Sequence, residues 1–102
     1  MTDLEMRFHD AMIAIYEIAK REYRYNATRF LQMVSEQGGL AAARTLLATS
    51  APSEGFTMLW ECGRLDLTVE ANVLKTEFAT LFTEEEKAVA RRRLAEYGYR
   101  FE

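Results

Sequence analysis

The first 24 residues alternate in a helical rhythm. Stepping by 100° per residue from Asp3 to about Arg24 places Leu4, Phe8, Ala11, Met12, Ile15, Ile18 and Ala19 on one face. This predicts one long helix. Met6 and Ile13 fall on its far side, near His9 and Lys20, so the helix is expected to pack on two sides. Either it is central in the fold, or its second side meets another subunit. A second helix is expected from Asn26 to Gln37, with Asn26 as N-cap, Phe30, Leu31, Met33 and Val34 as its apolar side, and Gly38 or Gly39 closing it in the left-handed conformation. A third, from Leu40 to about Thr49, is alanine-rich and buries Leu40, Ala43, Leu46 and Leu47.

The clearest loop is Ser50–Gly55, which contains the only proline, Pro52. The apolar stretch Phe56–Trp60 follows and ends at Gly63. Residues 64–74 read two ways. Leu65, Leu67, Val69, Ala71 and Val73 alternate with polar residues, as in a strand. A helix capped by Asp66 or Thr68 would instead align Leu67, Ala71, Leu74 and Phe78. The other alternating stretch, Tyr97, Tyr99 and Phe101, is short and broken by Gly98, and a strand without a partner leaves its backbone groups unpaired, so the helix is favoured. The last helix has the firmest start: Thr83-Glu84-Glu85-Glu86 is a capping-box pattern, and the helix should run to about Tyr97 with Ala90, Leu94 and Tyr97 inward and Gly98 as its stop. Two glycine-closed units, Phe30…Gly38-Gly39-Leu40 and Phe56…Gly63-Arg64-Leu65, form a faint internal repeat consistent with stacked helical hairpins.

The expected fold is therefore all-α: one domain over residues 1–102, a bundle of five or six helices, with a short strand at about 64–73 (an α+β arrangement) as the alternative. Composition agrees. One proline and five glycines are too few for the tight turns of an all-β domain of 102 residues. At 49% hydrophobic and 28% charged, the chain can fill one modest core. A single cysteine, Cys62, excludes an internal disulfide, the amino terminus has no basic segment ahead of an apolar one, and no apolar run is long enough to span a bilayer. A cytoplasmic location without membrane contact is the expectation.

Charge adds detail. The net charge of −3 argues against a strongly basic nucleic-acid binder, yet Lys20, Arg21, Arg24 and Arg29, interleaved with Tyr23, Tyr25 and Asn26, make a local basic and aromatic cluster. Arginine and tyrosine are also the residues enriched at protein interfaces. Arg91-Arg92-Arg93 fans out around its helix rather than forming one patch, and with Glu84–Glu86 at the other end it complements the helix dipole. Arg93 falls at the border of the inner stripe, where it is expected to snorkel or pair.

Chemistry is sparse. His9 is the only histidine, the serines sit in no nucleophile elbow, and there is no phosphate-binding glycine loop or Cys-x-x-Cys. Glu61, Asp66 and Glu70 form a candidate polar site, for a solvated face neutralised by Arg64 or for a divalent ion. Neither a cofactor nor a resident metal is expected, and the sequence leans away from an enzyme.

The combination Tyr25-Asn26-Ala27-Thr28-Arg29-Phe30-Leu31, Gly55-Phe56, Leu59-Trp60-Glu61, Arg64-Leu65-Asp66-Leu67-Thr68-Val69-Glu70 and Leu81-Phe82-Thr83 spans most of the chain. It resembles a widespread family of small bacterial proteins and domains. That family has no assigned activity, so the resemblance carries over no functional residues; it implies a self-contained unit of bacterial or phage type.

The leading expectation is a small binding protein acting through protein–protein contacts, as a homodimer through the second face of the first helix or with another protein. The candidate interaction residues are Met6, Ile13, Tyr23, Arg24, Tyr25, Arg29, Trp60 and Arg64. A nucleic-acid-associated protein using residues 20–29 is the second reading, and a metal- or ligand-dependent enzyme or regulator the third.

Overall fold

A computed structural model of the chain describes residues 2–99. They form six α-helices: α1 (Asp3–Tyr23), α2 (Thr28–Gln37), α3 (Gly39–Ala48), α4 (Glu54–Glu61), α5 (Val69–Val73) and α6 (Glu84–Glu96). Two 3₁₀ turns, Leu65–Leu67 and Thr76–Leu81, flank α5. No strand occurs among the described residues, so the fold is all-α. The Cα radius of gyration, 12.4 Å, is close to the roughly 13 Å of a single packed domain of this length. No helix among the described residues is long and apolar enough to cross a membrane.

The first helix is central. It packs against α2, α3, α5 and the second 3₁₀ turn. Phe8, Met12, Ile15 and Ala19 are buried as its inner stripe. Ile13 is half-buried and joins the same core, so the second apolar side of α1 is used largely within the fold, while Met6 stays exposed. Phe8 anchors the core edge-on against Phe78 and Phe82, with ring centroids 5.0 and 5.1 Å apart.

The ambiguous segment resolves through its caps. Thr68 Oγ1 accepts from the Ala71 N–H and donates to the Leu65 carbonyl, which closes the 3₁₀ turn and opens α5 in one residue. The alternating side chains thus serve two short helical turns, and the strand alternative for 64–73 does not occur. The other alternating stretch ends at Phe101, which lies outside the described residues.

Two boundaries differ from the sequence expectation. Asn26 does not cap α2: the helix begins at Thr28 with Ala27 at the N-cap, and no side chain caps it. The Asn26 carboxamide instead accepts from the Tyr16 hydroxyl at 2.8 Å. Of the two adjacent glycines, Gly38 takes the positive φ of 87° that ends α2, and Gly39 begins α3. The second glycine-closed unit continues into a 3₁₀ turn rather than a full helix, so the two units do not form matching hairpins.

The capping box of α6 is present as expected: Glu86 N–H donates to Thr83 Oγ1 at 3.1 Å, and Thr83 N–H to Glu86 Oε1 at 2.9 Å. Thr83→Ala is expected to cost about 1 kcal/mol, read as a lower urea midpoint with an unchanged slope.

Candidate functional site

A well-formed concavity lies where α1 stops. Arg24 adopts a left-handed conformation, φ 55°, and ends the helix. The Tyr25 N–H turns back to the Ala19 carbonyl at 3.1 Å. The chain then crosses residues 24–27 without helix and starts α2 displaced from α1. A groove of about 550 Å³ remains between the C-terminal half of α1, α2, the start of α4 and the start of α5. That volume falls in the range of ligand and side-chain pockets.

Its walls are apolar, formed chiefly by Ile15, Phe30, Met33, Leu46, Phe56 and Leu59. The rim is polar. Tyr16 and Asn26 are joined by their hydrogen bond, and the Lys20 ammonium sits 5.8 Å from the Tyr16 ring centroid. Opposite, the Tyr25 hydroxyl reaches Glu54 Oε1 at 3.5 Å. Burial, then the nearby Glu54 carboxylate, raises the Tyr25 pKa and keeps its hydroxyl a neutral donor. Arg29 completes the rim and forms no ion pair among the described residues.

The groove also reaches Glu70, whose side chain is only 3% exposed. Its Oε2 accepts from Arg93 Nη1 at 3.1 Å. Arg93, itself 5% exposed, also donates to the Leu46 carbonyl at 3.0 Å and to the carbonyl and hydroxyl of Thr49. One guanidinium therefore closes the C-terminus of α3 and neutralises a carboxylate on α5. Burial raises the Glu70 pKa, and the Arg93 contact offsets this only in part.

The other candidate residues lie elsewhere. Arg64 binds both carboxylate oxygens of Asp66, at 3.1 and 3.3 Å, and its Nη1 reaches Tyr23 Oη at 3.0 Å and Glu22 Oε1 at 3.4 Å. These bonds raise its pKa further and tie the end of α1 to the first 3₁₀ turn. Trp60 is 45% exposed and packs edge-on against Tyr97 at 5.3 Å. The proposed polar trio separates: Glu61 is exposed, Asp66 belongs to Arg64, and Glu70 is buried against Arg93. No group of three potential metal ligands occurs among the described residues. Cys62 is a half-buried free thiol. His9 ties α1 to α3, its Nδ1 accepting from the Gly39 N–H at 2.9 Å.

Of the interaction residues expected from sequence, the groove brings together Tyr25 and Arg29. It adds Tyr16, Phe30, Met33 and Glu54, which sequence reasoning had not singled out as a site. The Glu70–Arg93 pair left one trace in the sequence, an arginine on the border of an otherwise apolar stripe. A comparison of the chain with family models, curated proteins and solved structures gives no match.

Proposed function

We propose that the chain is a small helical binding protein acting through protein–protein contacts, with the groove at the end of α1 as its docking site. One observation carries this reading. Tyr25 and Arg29, residue types favoured at interfaces, stand with Asn26 at the rim of a single groove whose walls are aliphatic and aromatic. Such a groove accepts an apolar or amphipathic side chain of a partner segment while the rim bonds its backbone.

Self-association through α1 is less well supported. With Ile13 packed into the core, the half-exposed Met6 offers a small fraction of the roughly 1,000 Å² that a stable interface buries. The groove therefore points to a different protein as partner.

The test is selection of peptides from a random library on the immobilised protein. Selected peptides are expected to bind Ala27→Trp, which fills the groove from its loop edge, at least about tenfold more weakly than the wild type. They should bind Met6→Glu unchanged. Equal binding to Ala27→Trp, with its helical circular dichroism intact, would refute the groove as the docking site.

A second reading has one observation in its favour. Arg24 and Arg29 carry no ion pair among the described residues, so the basic cluster retains uncommitted charge for phosphate. It is diluted by Glu22 and Glu54 on the same side. Binding to labelled single-stranded or duplex DNA that weakens steeply with salt would favour it over the docking reading.

A further inference from the structure

The charges on the lining of the groove are not equally free. Glu70 is buried and neutralised by Arg93, so it does not set the charge of an occupant. Arg29 and Glu54 remain, and neither forms an ion pair among the described residues. They stand on different elements. Arg29 is exposed and lies four residues before Met33 on α2, so the two share one helix face, and both line the groove. Glu54 opens α4 and accepts from the Tyr25 hydroxyl.

Donors collect beside Arg29. The Thr28 N–H is used by the Asn26 carbonyl at 2.8 Å and the Leu31 N–H by the Ala27 carbonyl at 3.0 Å. The N–H groups of Arg29 and Phe30 between them have no acceptor among the described residues, and no side chain caps α2. The groove thus offers a free guanidinium on one element, a free carboxylate on another, and apolar walls between Phe30, Met33 and Leu59. A matching occupant carries an anion and an N–H donor on a short frame with an apolar side chain. The last residue of a polypeptide has all three. An internal segment brings a neutral carbonyl, a weaker partner for a guanidinium than a carboxylate. A fatty acid brings the anion but no donor for Glu54.

We propose that the groove recognises the carboxyl-terminal residue of a partner protein. Its apolar side chain sits among Phe30, Met33 and Leu59, its carboxylate meets Arg29, and its backbone N–H is directed to Glu54. This rests on the docking reading above and narrows the partner from an amphipathic segment to a chain end.

The experiment is an NMR titration of the native protein, following the amides of Ala19, Arg29, Phe30 and Gly55. The probes are acetyl-alanine–alanine–leucine with a free carboxylate, the same peptide as its carboxamide, the free acid ending in serine instead of leucine, and octanoate. The leucine acid is expected to bind at least about tenfold more tightly than its carboxamide. It should also bind more tightly than the serine acid. The preference for the acid should vanish in Arg29→Gln, an exposed position. It should persist in Arg21→Gln, which removes the same charge outside the groove. Equal affinity for acid and carboxamide, or a preference that survives Arg29→Gln, overturns the recognition of a chain end and leaves the docking groove standing. Equal affinity for the leucine and serine acids overturns the apolar seat. Octanoate binding as tightly as the leucine acid overturns the peptide source in favour of a fatty acid. No shift of the groove amides with any probe overturns the inference, while the library selection against Ala27→Trp decides the docking reading separately.

Discussion

Replacing Arg93 with methionine is expected to destabilise the protein by about 3–5 kcal/mol, enough to unfold much of a domain of ordinary stability at ambient temperature. Methionine conserves most of the buried stem, so packing alone does not account for the loss. The substitution strands the Glu70 carboxylate, 3% exposed, without its guanidinium. It also removes the donor that closes the end of α3 at Leu46 and Thr49. The double variant Glu70→Leu/Arg93→Met separates the two causes. Because Thr49 is exposed, water can replace the lost donor there. The double variant should therefore recover much of the stability lost in the single one. If it is no more stable than Arg93→Met, the closure of α3 and not the buried charge carries the effect.

The same pair sets a pH dependence with a definite sign. Burial holds the Glu70 pKa above its ordinary value in the folded state. The folded chain therefore binds this proton more tightly than the unfolded one. Stability relative to Glu70→Gln is highest below the ordinary carboxylate range. It falls as pH rises from that range through the raised folded value, and is level above it. Urea midpoints of the two proteins across this window give the difference directly; a difference that grows with pH would show that Arg93 lowers the Glu70 pKa below its ordinary value.

Gly39→Ala carries the second large effect, and its sign opposes helix propensity. Alanine inside a helix is ordinarily favoured over glycine by up to about 1 kcal/mol. At Gly39 an added Cβ would stand 2.6 Å from the His9 Cα, and 3.2 Å from His9 Cβ and Met12 Cγ. The first of these is backbone and cannot swing aside. The two helices must move apart, which also weakens the bond from the Gly39 N–H to His9 Nδ1. A loss of about 2–4 kcal/mol is expected. Gly55 is the matched control. It too lies in the first turn of a helix, but its added Cβ would meet only Ser53 Oγ at 3.8 Å. Gly55→Ala should stabilise by about 0.5–1 kcal/mol. Thermal or urea unfolding of both variants checks the contrast; two changes of the same sign would refute the close approach of α1 and α3.

These cases show which features were legible in advance. Local ones were. The inner stripe of α1, the capping box at Thr83, the stop at Gly98 and the all-α class depend on residues within a turn or two of one another. The α1 cap, in which Thr2 Oγ1 accepts from Glu5 N–H at 3.1 Å and Glu5 Oε1 from Thr2 N–H at 3.0 Å, was equally local and was overlooked. Its Thr-x-x-Glu spacing is the signal that would have found it. Asn26 misled for a physical reason. Its side chain suits an N-cap, but Tyr16, one helix away in space, offers a hydroxyl donor that draws the carboxamide off the helix end.

The candidate site was less legible, because it is made by contacts distant in sequence. Tyr25 and Arg29 were singled out for their residue types. Nothing local joins them to Glu54 or Glu70, and Asp66 and Glu70 looked like a pair until the 3₁₀ turn sent one to Arg64 and the other to Arg93. By itself the sequence determined the helical class, the approximate helix ends and the presence of an arginine with one foot in the core, since each follows from short-range periodicity and capping. Only the tertiary structure decided that Ile13 packs inward, that Gly39 serves contact rather than turning, and that α1, α2, α4 and α5 leave a groove reaching a buried carboxylate. Those outcomes depend on where helices cross, which is set by the summed packing of many side chains and is recorded at no single position of the chain.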